Sequence, residues 1–261
     1  MHWVVQTNLF NEHNYANLID QLERGQIPFS PVKIVPFVHL LEPDVNPEGP
    51  VFCIGTLTMS EVARRKGWSP GSFWNEQHDF VHWREHYGTN LLNYDSVVCR
   101  FADVPKIDKS FFIRPCDDTK SIVGHVVNWS AYKEWRDRIA TLGDTYSTLT
   151  SDTMVTVAPV KQILREYRFF VIDGVVVTGS LYKIGRQAHH SPDVDPDVWS
   201  YAQRMVDTWQ PARGFVIDIA LTAEGPKVIE INCLNSAGFY SIDMSKLVQA
   251  VERMEGYGEA R

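Results

Sequence analysis

The chain has 261 residues, 44% of them hydrophobic and 12% aromatic, enough for one large domain or several lobes around a substantial core. Its net charge of −7 and pI near 5.7 argue against broad nucleic-acid or anionic-membrane binding, and no apolar run approaches membrane-spanning length. Cys53, Cys99, Cys116 and Cys233 are scattered, without the spacing of a zinc site or a disulfide framework, and the opening MHWVVQTNLFNEHNY has no signal-peptide pattern, so a reducing cytoplasm is the expected home.

Trp3, Val4 and Val5 predict a short strand. Ala16, Leu18, Ile19 and Leu22 recur at helical spacing and predict a helix over 14–24, ended by Gly25. Strands are expected over 32–38 and 51–54, and a short helix over 58–66, capped by Thr58 or Ser60 and closed by Gly67. Another helix is expected within 68–87, where His78, His82 and His86 stand four apart. Two of them could share a metal, but a partly exposed helix face is the simpler reading. No glycine fingerprint follows the first strand, so residues 1–100 read as an α/β lobe that is not a dinucleotide-binding Rossmann domain.

Residues 110–115, SFFIRP, predict a strand ending at Pro115, on which Arg114 shares a face with Phe112. Lys120 and Gly124 bracket a short turn. A helix capped by Ser130 is expected to run to Leu142 with Tyr132, Trp135 and Ile139 in its stripe, followed by a strand over 154–158. Residues 166–183, EYRFFVIDGVVVTGSLYK, place two β-rich runs about Asp173-Gly174, a type I′ hairpin signal. Pairing about that turn sets Arg168 opposite Gly179, leaving room beside Arg168, and puts Glu166, Arg168 and Lys183 on one face. Two cations and a carboxylate so placed suit a triphosphate; the alternative is an exposed salt-bridge ladder. Residues 184–196, with Gly185, Arg186 and the His189-His190 pair, read as a mobile loop before a helix over 197–209.

Residues 214–240, GFVIDIALTAEGPKVIEINCLNSAGFY, form a second hairpin about Ala223-Glu224-Gly225-Pro226. Alternation gives it one apolar face and another presenting Asp218, Glu230 and Asn232, with Asp218 across from Glu230 if the turn centres on Glu224. Like charges directly opposite are destabilising, no lysine of the hairpin faces them, and a divalent cation would remove the penalty. These hard oxygen donors suit magnesium, not zinc; the alternative is a solvated outer face. Met244, Leu247, Val248 and Val251 predict a closing helix over 244–254.

Asp218, then Glu230-Ile231-Asn232, then the small-residue loop Asn235-Ser236-Ala237-Gly238 resemble the magnesium-binding end of the ATP-grasp family. The resemblance extends over roughly residues 95–250. It implies an α/β (α+β) ATP-grasp fold, with an N-terminal α/β lobe over 1–100 and an ATP-grasp domain over 101–261 whose two α+β subdomains grip the nucleotide. By the same resemblance Asp218, Glu230 and Asn232 would hold Mg2+ between the phosphates of ATP. Arg168 and Lys183 would act on the β- and γ-phosphates as catalytic and nucleotide-binding groups, with Glu166 and Lys120 among the nucleotide contacts. Arg114 stands where the family commonly has a lysine, as in a clade frequent in phage and bacterial proteins. Residues 160–164 would connect the lobes near the adenine, and the loop over 184–196 would cover the site. The implied activity is an ATP- and magnesium-dependent carboxylate–amine ligase, ADP-forming and working through an acylphosphate. Its partners would be a small-molecule, amino-acid or peptide carboxylate and an amine acceptor, without membrane. A kinase or phosphotransferase on the same fold, or a nucleotide-binding module without chemistry, are the alternatives.

Overall fold

The computed structural model describes residues 1–9, 15–35, 38–117, 123–142 and 149–254. They form two compact units, Met1–Glu76 with Ile163–Arg261, and Gln77–Gln162.

The first unit opens with β1 (His2–Gln6), whose consecutive apolar residues are buried on both faces, as a central parallel strand requires. It is followed by α1 (Tyr15–Arg24), β2 (Phe29–Val35), β3 (Leu40–Glu42), β4 (Val51–Ile54), α2 (Leu57–Lys66) and β5 (Pro70–Gly71). The sheet runs β3-β2-β1-β4-β5, with β1 parallel to both β2 and β4. Leu18 and Leu22 bring α1 onto it. Gly67 closes α2 in the left-handed region at φ 67°, as expected, but the helix is capped at Thr56, not at Thr58 or Ser60. The amide and hydroxyl of Thr56 both donate to Gln6 Oε1, at 2.9 and 3.2 Å.

The second unit contains α3 (Phe80–Tyr87), β6 (Val97–Arg100), β7 (Phe111–Pro115), β8 (His125–Val127), α4 (Trp129–Leu142) and β9 (Met154–Pro159). Its antiparallel sheet runs β6-β9-β7-β8. One face packs Phe111, Ile113, Val155 and Val157 against Tyr132 and Ile139 of α4. The α4 cap is Asn128, whose Oδ1 accepts from the Ala131 amide at 2.9 Å, so the helix starts before Ser130. Asp79 caps α3, which leaves His78 ahead of the helix and only His82 and His86 on it. The three histidines therefore form no continuous helical stripe.

The chain then returns to the first unit with β10 (Arg165–Ile172), β11 (Val175–Ile184), β12 (Gln187–Ser191), α5 (Pro196–Thr208), β13 (Gly214–Thr222), β14 (Gly225–Cys233) and α6 (Met244–Glu252). These strands make an antiparallel sheet in the order β12-β11-β10-β13-β14. Much of the segment read as a loop over 184–196 is β12, paired with β11. Phe170, Val216 and Leu247 share one core with Trp3, Leu18 and Phe52 of the N-terminal sheet. Asp173 and Gly174 have φ of 46° and 79°, the positive values of a type I′ turn.

The register of that hairpin differs from the simple count. Bulges in β11 place Arg168 opposite Ser180, Phe169 opposite Gly179, and Glu166 opposite Lys183. Gly179 therefore makes room for Phe169, not Arg168: a Cβ there would lie 2.5 Å from the Phe169 ring. No described helix is long and apolar enough to cross a membrane.

Candidate nucleotide and metal site

The site grows from one transverse row of side chains. Arg168 on β10 pairs with Asp218 on β13, and Asp218 pairs with Glu230 on β14. The β13–β14 turn is the two-residue Ala223-Glu224, and a bulge at Ile229 restores the Asp218–Glu230 alignment. Asn232 follows on the same face, so Asp218, Glu230 and Asn232 are brought together as their alternation predicts.

Asp218 is fully buried. Its Oδ1 accepts from Arg168 Nε at 2.8 Å and its Oδ2 from Nη2 at 2.7 Å, a bidentate, charge-assisted pair. Arg168 Nη1 also donates to the Gly238 carbonyl at 3.2 Å, tying the loop after β14 to the row. Glu230 Oε1 lies 3.9 Å from Arg168 Nη2 and accepts from Asn232 Nδ2 at 3.1 Å. Burial pushes the Asp218 carboxyl up to about 7, against the pull of Arg168 and with a further push from Glu230. Burial opposes the charge of Arg168, but Asp218 outweighs it and holds the guanidinium above its ordinary range.

Farther along the face, Glu166 accepts from Tyr182 Oη at 2.8 Å and pairs with Lys183 Nζ at 2.6 Å. The bulge at Tyr182 lets two consecutive side chains of β11 reach one carboxylate. Tyr182 stacks on Tyr240 at 4.8 Å, with the Arg168 Cζ 5.6 and 4.9 Å from the two rings. Burial raises the Tyr182 phenol well above its usual range, helped by Asp218 and Glu166. His189 and His190 are both exposed, and the His190 ring lies 5.2 Å from that of Tyr240. Sequence reasoning missed Tyr182 and Tyr240. Only the position of Tyr240 at the end of the small-residue loop could have flagged it, and there it holds a strained φ of 49°.

The loop is also stitched to the N-terminal sheet. The Asn235 carbonyl accepts from the Gly55 amide at 2.8 Å, its Nδ2 donates to the carbonyls of Cys53 and Gly71 at 2.6 and 3.2 Å, and its Oδ1 accepts from the Phe73 amide at 2.8 Å. In the other unit, Arg114 is half-buried, with Nε donating to the Pro115 carbonyl at 3.3 Å and Cζ 5.2 Å from the Trp83 ring. Lys120 lies outside the described residues.

Among the described residues no three His, Cys, Asp or Glu side chains converge as metal ligands, so a cation on Asp218 and Glu230 would take its further oxygens from an amide such as Asn232, a backbone carbonyl, water or the nucleotide. The donors at β13 and β14 fit magnesium on that basis. Each Asp218 oxygen keeps a lone pair beyond its bond to Arg168, Glu230 is partly exposed, and Asn232 donates through Nδ2, sparing its own oxygen.

The sequence pattern of an ATP-grasp domain family, family 3 of its clade, matches residues 44–251. No curated protein matches the chain. Among solved structures, D-alanine–D-alanine ligase from Bacillus anthracis complexed with ATP has a TM-score of 0.62 at 12% identity, covering 97% of this chain and 96% of that one. D-cycloserine synthetase DcsG has a TM-score of 0.58 at 15% identity, covering 96% and 98%. The ATP-grasp ligase PsnB, complexed with a minimal precursor, has a TM-score of 0.57 at 13% identity, covering 96% and 97%. At these identities the likeness is one of fold: a mixed α+β architecture shared with proteins described as ligases and a synthetase. With the family pattern running from residue 44 to residue 251, the chain belongs to the ATP-grasp superfamily.

Proposed function

We propose that the chain is an ATP-dependent ligase joining a carboxylate to an amine, releasing ADP and phosphate by way of an acylphosphate. The observation that carries this reading is the Arg168–Asp218–Glu230 row, with Asn232 beside it and the Glu166–Lys183 pair on the same face. Cytoplasmic ATP would supply the phosphoryl group. The acid and the acceptor would be small molecules, amino acids or peptides. Solved relatives are described as a D-alanine–D-alanine ligase and as PsnB with a precursor peptide, which supports that range.

Lys183 is part-exposed and fixed by Glu166, so it offers its remaining donors to phosphate oxygens without losing much freedom on binding. Arg114 would supply a second cation in its own unit, and Lys120 a third. Arg168 has its donors on Asp218 and Gly238, so its part is to hold the Asp218 carboxylate and lend positive field to the phosphate end. Asp218, Glu230 and Asn232 would hold magnesium, which would supply positive charge to neutralise the phosphate end during transfer. The substrate carboxylate attacks the γ-phosphorus as the bond to the bridging oxygen breaks. The acceptor amine then attacks the acyl carbon, loses a proton and expels phosphate. Phosphoryl transfer needs position and charge neutralisation more than a protein nucleophile.

The test is thermal stability with ATP, magnesium and both, followed by ADP release with candidate acids and amines. A stabilisation that needs both ligands is expected, since a ligand that binds only the folded chain raises its melting temperature. Asp218→Asn and Glu230→Gln should abolish the shift and the ADP release while the chain still folds. Full turnover in both variants would remove the metal assignment.

A further inference from the structure

We infer that Trp83 is a positioning residue for Arg114. Its indole is the surface over which the guanidinium lies. The inference rests on the nucleotide-binding reading of Arg114 given above.

The geometry is built for this. Trp83 is fully buried on α3, and the Arg114 Cζ lies 5.2 Å from its ring. Phe80 meets the indole edge to face at 6.1 Å and 69°. The helix is pinned to the strand it serves: the Phe80 amide donates to the Cys116 carbonyl at 2.8 Å, two residues past Arg114. Arg84 Nη1 donates to the Ser96 carbonyl at 3.1 Å, just before β6. The indole is thus held from its own helix and from the sheet edge, and cannot drift away from Arg114.

The choice of tryptophan is itself informative. Its Nε1 is buried without a hydrogen-bond partner among the described residues. An orphaned buried donor carries a cost that a phenylalanine in the same space would avoid. Tryptophan's compensating property is its face, the best of the aromatic side chains for a cation. A guanidinium is planar and weakly hydrated, so it can lie flat on that face while its edge N–H groups stay in plane for oxygen atoms. An ammonium is a compact, strongly hydrated charge and gains less from the same bed. Laying Arg114 down before nucleotide arrives removes part of the ordering cost of binding.

The test is a double-mutant cycle on the full chain, using Trp83→Phe and Arg114→Lys, with dissociation constants for ATP plus magnesium from calorimetry. Trp83→Phe should weaken ATP about threefold in the Arg114 background and by less than about 1.5-fold in the Arg114→Lys background. Trp83→Leu should cost about tenfold beside Arg114, in KM for ATP more than in kcat. Should Trp83→Leu fail to fold, the phenylalanine cycle decides alone. Equal losses in the two backgrounds would make Trp83 a core residue only and overturn the inference while leaving the ligase reading intact. No ATP binding by the unaltered chain would overturn both.

Discussion

Arg168 has donors committed to both oxygens of Asp218 and to the Gly238 carbonyl. Removing it leaves a buried carboxylate without its counter-ion, so Arg168→Met should lower folding stability by about 3–5 kcal/mol in denaturant titration. Arg168→Lys should recover little, because one ammonium cannot bridge two carboxylate oxygens and a carbonyl. A loss below about 1 kcal/mol for Arg168→Met would contradict the pair as drawn. The residue types of this site are legible in part. Strict alternation puts Asp218, Glu230 and Asn232 on one face from sequence alone. The partner that neutralises Asp218 is not legible, since it comes from a strand 50 residues earlier and pairs on the side of β13 away from its own hairpin. For the same reason the lack of a lysine on the hairpin overstates the need for a metal: an arginine already faces the carboxylate.

Hairpins are readable where turn chemistry is local. Asp173-Gly174 announces a type I′ turn, and the positive φ values at both positions follow. Gly174→Ala should cost about 1 kcal/mol by forcing a Cβ into the left-handed region, measured as a shift in denaturant midpoint. Bulges are not readable, because an extra residue leaves no period of its own in an apolar run. Two of them move Arg168 from Gly179 to Ser180 and bring Lys183 onto Glu166. The face survives the change, so Glu166, Arg168 and Lys183 stay grouped while the room beside Gly179 goes to another side chain. Gly179→Ala should destabilise by about 1–3 kcal/mol through overlap with Phe169 and leave the Arg168–Asp218 pair in place. Helix caps show the same limit: Thr56 and Asn128 cap α2 and α4 although later hydroxyls look equally able, Thr56 held by a tertiary contact to Gln6 and Asn128 by its own bond to the Ala131 amide.

The whole molecule keeps three of its thiols inside and one part-exposed: Cys53, Cys116 and Cys233 are buried, and Cys99 is at intermediate exposure. Burial, with help from Asp79, pushes the Cys116 thiol up to about 12. At pH 8 a maleimide should therefore modify Cys99 first, with the others protected until unfolding. The sign for stability follows from the direction of the shift. The folded chain holds the Cys116 proton more tightly than the unfolded one, so this contribution is present below pH 9 and is lost as pH rises from 9 toward 12. The two units should also release their thiols in order. The core of 77–162 is the smaller one, so Cys116 should become reactive at lower denaturant than Cys53 and Cys233, read by mass spectrometry of labelled peptides. Simultaneous release would mean that the chain unfolds as one body. The first unit is assembled from both ends of the sequence: Trp3 Nε1 donates to Glu252 Oε1 at 2.6 Å across 249 residues, and Asn235 closes the backbone groups of Cys53, Gly71 and Phe73. On the ribosome the opening segment therefore emerges long before its partners, and its sheet must wait, with apolar surface uncovered, until the last helix leaves the exit tunnel. The speed and continuity of translation therefore set how long the first strand stays uncovered before α6 reaches it.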